Sequence, residues 1–230
     1  MSFNNDILWT VDLFGTEVWI TQTVFNTWII MLALTVLALV VRLLLRRFKT
    51  IPSGFQNVIE IAVESFDNIV RNAAGGQHMY LGNWFFMVFA FILFSNLSGI
   101  LGLRPPTADW ATTFAFSLAT FGLIQIMGIR YRKGEYLKSF FKPVFFFFPL
   151  NLISEIARPV SLSFRLFGNV LAGLILTSLV YSLPIYLRFL LPTVVHAYFD
   201  LFSGILQTYI FCVLSLTFIG SAAAIPEKTK

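Results

Sequence analysis

Four ionisable residues stand among apolar neighbours in the C-terminal half of this 230-residue chain: Glu155, Arg158, Arg165 and Asp200. Arg165 is the most demanding, because it sits in SLSFRLFGNVLAG (161–173) and a guanidinium cannot shed its proton in a protein. Holding it at membrane depth costs between about 3 and about 17 kcal/mol by different measures, so a partner must offset it. At 100° per residue Arg158 and Arg165, seven apart, share one helix face, and Asn169 follows a turn later. Ser161, Gly168 and Ala172 flank that face, and small residues let a helix of another subunit approach closely. A second stripe, His196, Asp200, Ser203 and Gln207, follows i, i+4, i+7, i+11 spacing. Polar stripes on apolar rods point to an ion path. The plainer arrangement is a fixed ion pair of Arg165 with Asp200 or Glu155, which would only register two helices. His196 is equally readable as an interfacial histidine. No second nitrogen or sulfur ligand stands at a spacing suited to metal, and no cofactor is expected.

The helices that carry these residues lie in a chain with 57% hydrophobic and 12% charged residues and a mean hydropathy of +0.80. One water-soluble core could not hide that much apolar surface, so an all-α integral membrane protein is expected. The formal charge of +5 falls in short clusters beside apolar runs, where basic residues set topology, and nucleic acid is discounted as a partner. Cys212, the single cysteine, lies in an apolar run and reads as a small core residue, so no disulfide forms within the chain. The N-terminus lacks the basic start and compact apolar block of a cleaved signal peptide, which leaves insertion to the first span.

One membrane domain, 1–230, accounts for the pattern. Residues 1–23 form an outer segment, and 24–45 are long enough to cross about 30 Å of hydrocarbon, with RRFK behind them. Residues 53–74 place Phe55, Val58, Ile59, Ala62, Phe66, Ile69 and Val70 on one face, which predicts an amphipathic helix flat on the inner surface. GGQH ends it, with His78 as a solvated loop residue. Residues 81–129 predict a helical hairpin turned by RPPTAD, whose prolines forbid a continuous helix. The basic loop RYRKGEYLKSFFK returns to the inner side, and FFFF at 145–148 is expected to face lipid. Segments 144–183 and 185–224 are each twice as long as the hydrocarbon is thick if helical, which predicts two long, strongly inclined helices with a turn near Ser182 to Pro184. Five crossings carry an outer N-terminus to a cytoplasmic C-terminus. Arg42, Arg46, Arg47, Lys49, Arg71, the five basic residues of the loop from Arg130 to Lys142, Lys228 and Lys230 then fall inside, and only Arg104 and Arg188 outside.

Four ordered blocks resemble one family. SEIARPVSLSFRLFGNVLAG (154–173) is similar to the signature of subunit a of F-type ATP synthases, the stator part of a membrane motor. SNLSGILGLRPPTADWATTFAFSLA (95–119), PSGFQNVIE (52–60) and FSGILQTYIFCVLSLTFIGSA (202–222) resemble that family's first hairpin, surface helix and C-terminal helix. The resemblance implies that Arg165 is the essential arginine facing the carboxylates of a rotating ring of c subunits. It implies that Asn169 and Gln207 are polar neighbours, that Glu155 is the acid preceding the motif, and that Asp200 belongs to the outer half-channel. Nine residues beyond the arginine, where many relatives have an acid or histidine, stands Leu174, which shifts the outer path onto Asp200 with His196 and Ser203. Arg158 would serve helix positioning.

The function so implied is a non-catalytic one: two offset half-channels carry protons or sodium ions to and from the ring. The implied partners are the c-ring, the peripheral-stalk subunit b, other subunits of the complex and the lipid bilayer, and the implied location is a bacterial plasma membrane. A secondary transporter, which normally shows repeated halves and interrupted helices, and an insertase with a lone arginine in a wet groove are the alternatives.

Overall fold

The structure is a computed structural model that describes residues 7–13, 16–45, 54–141, 145–188 and 190–224. Arg46, Arg47, Lys49, Lys142, Lys228 and Lys230, which entered the topology expectation, lie outside the described residues. Five helical stretches among the described residues are long and apolar enough to cross a membrane: Gln22–Leu45, Gly76–Leu101, Trp110–Arg132, Phe145–Tyr181 and Leu191–Ala223. The protein is an all-α integral membrane protein apart from one small hairpin. That hairpin, strands β1 (Ile7–Leu13) and β2 (Thr16–Thr21), was not anticipated within the outer segment.

Helix α1 (Gln22–Leu45) follows β2 directly and buries only Thr23, Asn26 and Ile30. Its anchor is polar: Asn26 Nδ2 donates to the Arg104 carbonyl at 2.9 Å. The rest of α1, with Leu32 and Leu43 about two-thirds exposed, presents apolar side chains where hydrocarbon would lie.

Helix α3 (Gly82–Leu97) and helix α4 (Trp110–Arg132) form the expected hairpin. A 3₁₀ turn, Ser98–Leu101, ends at Gly102, whose φ of 72° is the left-handed conformation that stops a helix without a Cβ penalty. Pro105 is extended and Pro106 opens a short 3₁₀ turn (Pro106–Ala108), after which Asp109 caps α4 by accepting from the Ala111 N–H at 3.2 Å. Arg130 and Arg132 in the last turn of α4 suit its negative dipole end. Between hairpin and C-terminal helix lies a buried hydroxyl network. Thr107 Oγ1 donates to Asn96 Oδ1 at 2.9 Å, and Asn96 Nδ2 donates to the Gly204 carbonyl at 3.1 Å.

Helix α6 (Phe148–Tyr181) runs 34 residues, about 51 Å at 1.5 Å per residue. Pro149 sits in its first turn, where no amide hydrogen is needed, and Pro159 inside it does not end it. The turn falls where expected, with the Ser182 and Leu183 amides donating to Leu179 and Val180. The segment expected as one helix from 185 differs. Helix α7 (Ile185–Arg188) is separate, and the long run starts only at α8 (Leu191–His196), because Pro192 fits a first turn and not a helix interior. Ala197–Ser203 is then wound as a π-helix before α9 (Gly204–Ala223). The core joins α3, α4, α6 and α9 through Phe85, Ile92, Ile124, Leu166, Phe211, Leu216 and Ile219.

Helix α2 (Phe55–Ala74) covers part of the expected surface segment. Phe66, Val70 and Ala74 join the core, while Phe55 and Val58, expected on the apolar face, stay exposed and the polar Gln56 is buried. Its last turn docks on α9 at Gly220, where an added Cβ would lie 2.9 Å from the Ala73 carbonyl oxygen and 3.1 Å from the Ala74 Cα. Both neighbours are backbone and cannot rotate away. Gly220→Ala is expected to cost about 1–3 kcal/mol by forcing α2 off α9, read as a lower Tm of the purified protein in detergent; an unchanged Tm would refute the tight docking. His78 corrects another expectation. It is buried, not solvated, edge-on to Tyr131 at 4.9 Å in the 3₁₀ turn after α2. The exposed Phe145 and Phe146 agree with a lipid-facing end.

Candidate ion path

Arg165 is exposed on α6, and among the described residues no carboxylate meets it. The fixed pair with Asp200 or Glu155 therefore does not form. Ser161, Phe164 and Gly168 are exposed beside it, and a Cβ added at Gly168 would meet nothing within 4 Å. The guanidinium thus stands on a strip of α6 that the described residues leave uncovered, while Leu162 and Leu166 on the adjoining flank of the helix are buried.

On one side of this strip, towards the end of α6, lies a first polar cluster. Ser203 Oγ donates to Asn169 Oδ1 at 2.6 Å, which ties the π-helix to α6 one turn beyond Arg165. His196 Nδ1 and Asp200 Oδ2 are 2.5 Å apart. The π-helix turns about 4.4 residues per turn, so the i, i+4, i+7, i+11 spacing no longer describes one straight stripe. Gly99, in the 3₁₀ turn of the hairpin, is the neighbour that makes room for Asp200: a Cβ there would lie 2.8 Å from the carboxylate carbon. Gln207 is buried, and its Nε2 has no hydrogen-bond partner among the described residues. A buried donor left so costs about 1–3 kcal/mol unless something outside the chain accepts from it.

On the other side, ten residues before Arg165 and about 15 Å along the axis, lies a second cluster. Glu155 is buried and takes Arg158 as its ion partner at 3.1 Å. Arg158, expected to share a face with Arg165, is thus committed to Glu155, and its guanidinium also lies over Phe218 at 5.3 Å. Gln125 Nε2 on α4 donates to Glu155 Oε1 at 3.0 Å. A cavity of about 220 Å³ opens beside Glu155, lined also by Arg132, Asn151, Ser154 and Ser221.

The two clusters flank Arg165, which meets no carboxylate among the described residues. Residues 24–220 match the family model described as ATP synthase A chain. The chain is 39% identical over 206 residues to ATP synthase subunit a of Moorella thermoacetica, covering 88% of this chain and 90% of that protein. The chain belongs to the ATP synthase subunit a family. It is likewise 37% identical over 216 residues to ATP synthase subunit a 2 of a Bradyrhizobium strain, covering 91% and 92%. A subunit a described as sodium ion specific, from Propionigenium modestum, is 30% identical over 220 residues, covering 87% and 73%. Membership in this family sets aside the transporter and insertase alternatives.

Sequence reading found Arg165, Asn169, Asp200, His196, Ser203, Gln207, Glu155 and Arg158, and the structure gathers all but Arg165 and Gln207 into hydrogen-bonded pairs. It missed Gly99 and Gln125. The signal for Gln125 was a lone amide on an otherwise apolar face of α4.

Proposed function

We infer that this subunit a is the ion-translocating stator of a rotary F-type ATP synthase, with one aqueous half-channel at Glu155 and another at Asp200 and His196. The observation that carries this reading is the exposed, unpaired Arg165 between two polar clusters offset along α6. Its partner is a carboxylate on a separate ring of c subunits. A neutral ring carboxylate crosses lipid cheaply, and the ionised form does not. Arg165 accommodates the ionised form as the site passes between half-channels, and its permanent charge blocks direct leakage from one to the other.

Each elementary charge that crosses 100 mV yields about 2.3 kcal/mol, the work that biases rotation. The subunit itself makes and breaks no covalent bond; it directs ions, and the complex synthesises ATP. Helix α6 at about 51 Å exceeds the roughly 30 Å hydrocarbon, so α6 and the α8–α9 run lie inclined against the ring. The exposed N-terminal half of α2 rests on the inner surface of a bacterial plasma membrane, with the N-terminus outside, the C-terminus cytoplasmic and subunit b of the peripheral stalk alongside.

Liposomes holding the purified complex test this reading. ATP hydrolysis is expected to accumulate ions, protons if the signal persists without sodium and sodium if it vanishes. A complex that retains its ring and hydrolyses ATP without moving either ion would overturn it.

A further inference from the structure

We propose that Tyr136, seated in a notch at Gly128, is a positioning residue that holds one oxygen of the Glu155 carboxylate so that the other serves the ion path. The proposal rests on Glu155 being the acid of the inner half-channel. Helix α5 (Gly134–Ser139) lies in the basic loop after α4 and is reversed there by Lys133, whose φ of 48° is uncommon for a residue with a side chain. The reversal brings the Tyr136 ring back onto α4. A Cβ at Gly128 would fall 2.5 Å from that ring, so the depth to which the tyrosine sinks requires glycine.

The depth aims a hydroxyl. Tyr136 Oη donates to Gln125 Oε1 at 3.1 Å and approaches Glu155 Oε1 at 3.5 Å, while Gln125 Nε2 donates to that same Oε1 at 3.0 Å. Arg158 Nη1 reaches Oε1 at 3.2 Å and Oε2 at 3.1 Å. The two carboxylate oxygens are therefore unequal. Among the described residues, Oε1 accepts from Gln125 and Arg158 with the Tyr136 hydroxyl at 3.5 Å, whereas Oε2 meets only Arg158 and retains lone pairs for an exchanging ion. The adjoining cavity, about 220 Å³, has room for several waters to deliver it.

Ring packing alone would need no hydroxyl here, and phenylalanine would serve as well. Among the described residues, the charged and titratable groups that line the cavity beside the carboxylate are Arg158 from α6, Arg132 from α4 and Tyr136 itself, and α9 lines it with Ser221 and Ala222. Burial, and then the negative charge of Glu155, push the Tyr136 hydroxyl above its ordinary value of 10, so it stays a neutral donor across the working pH range.

A double-mutant cycle on the reconstituted complex tests this, with the initial rate of ATP-driven ion transport as readout. Tyr136→Phe keeps the ring and is expected to slow transport about two- to fivefold, the loss of one weak hydrogen bond to a charged group. Glu155→Gln is expected to slow it more, and Tyr136→Phe added to Glu155→Gln is expected to change nothing further. Where Glu155→Gln abolishes transport altogether, Glu155→Asp replaces it in the cycle, its carboxylate one methylene farther from the hydroxyl. An additive effect of Tyr136→Phe, or none in the wild type, would overturn the positioning role. Wild-type transport in Glu155→Gln would instead overturn the inner half-channel reading, a result distinct from failure of the tyrosine alone.

Discussion

Arg165→Gln is expected to abolish ion-driven ATP synthesis while the complex still assembles. The structural half of this expectation comes from what the side chain does not do. Arg165 is exposed on α6 and pairs with no carboxylate among the described residues, so its loss breaks no described ion pair of the fold. The packing of α6 at this level comes from Leu162 and Leu166, which are buried on the flank of the helix beside Arg165. The functional half follows from electrostatics. Without the guanidinium, an ionised ring carboxylate has no cationic partner on its route, and losing the partner of a desolvated charge costs about 3–5 kcal/mol. At 1.36 kcal/mol per tenfold that is a fall of about 10² to 10⁴ in rate. Arg165→Lys separates charge from geometry: lysine restores a cation but titrates when buried and lacks the planar fork, so it is expected to recover little coupled synthesis. Synthesis measured in inverted vesicles beside the yield of assembled complex decides it, and normal coupled synthesis in Arg165→Gln would refute the role.

Arg165 was legible in the sequence because a single residue type, placed in an apolar run, carries an energetic demand that no neighbour can hide. The hairpin α3–α4 was legible for a similar reason, since Pro105 and Pro106 act locally. Features that depend on winding or on distant contacts were not. A π-helix at Ala197–Ser203 leaves no composition mark, yet it changes which residues of the second stripe share a face, and only the observed Ser203–Asn169 bond shows where that stripe goes. His78 looked solvated because two glycines precede it, but its burial comes from Tyr131, more than fifty residues away. The N-terminal hairpin did have a signal, two runs rich in β-branched and aromatic residues around Gly15, which the dominant membrane pattern overshadowed. The Glu155 cluster assembles α4, α5 and α6, and no spacing rule brings Gln125 and Tyr136 to the same oxygen.

The outer cluster supports a ranked set of outcomes. Asp200→Asn keeps the size and hydrogen-bonding shape of the side chain and removes its charge, so the fold should hold while ion entry slows. A positioned proton-transfer group is typically worth 10²- to 10⁴-fold, and the adjacent His196 offers an alternative carrier, which sets the expected loss near the low end, about a hundredfold. Gly99→Ala reaches the same carboxylate from the other side. Its methyl group would stand 2.8 Å from the carboxylate carbon, but a carboxylate is the mobile end of a side chain and swings aside. The swing draws Asp200 off His196 without removing the charge, so Gly99→Ala is expected to slow transport only a few-fold, roughly 1 kcal/mol of misplacement. In the Asp200→Asn background the same methyl group should cost little more, because the group it displaces no longer carries the ion. Initial rates of ATP-driven transport in the three variants give the order directly. If Gly99→Ala proves as damaging as Asp200→Asn, or if Asp200→Asn leaves transport unchanged at every pH, the outer path does not run through this carboxylate, and Gly99 shapes the turn of the hairpin and nothing else.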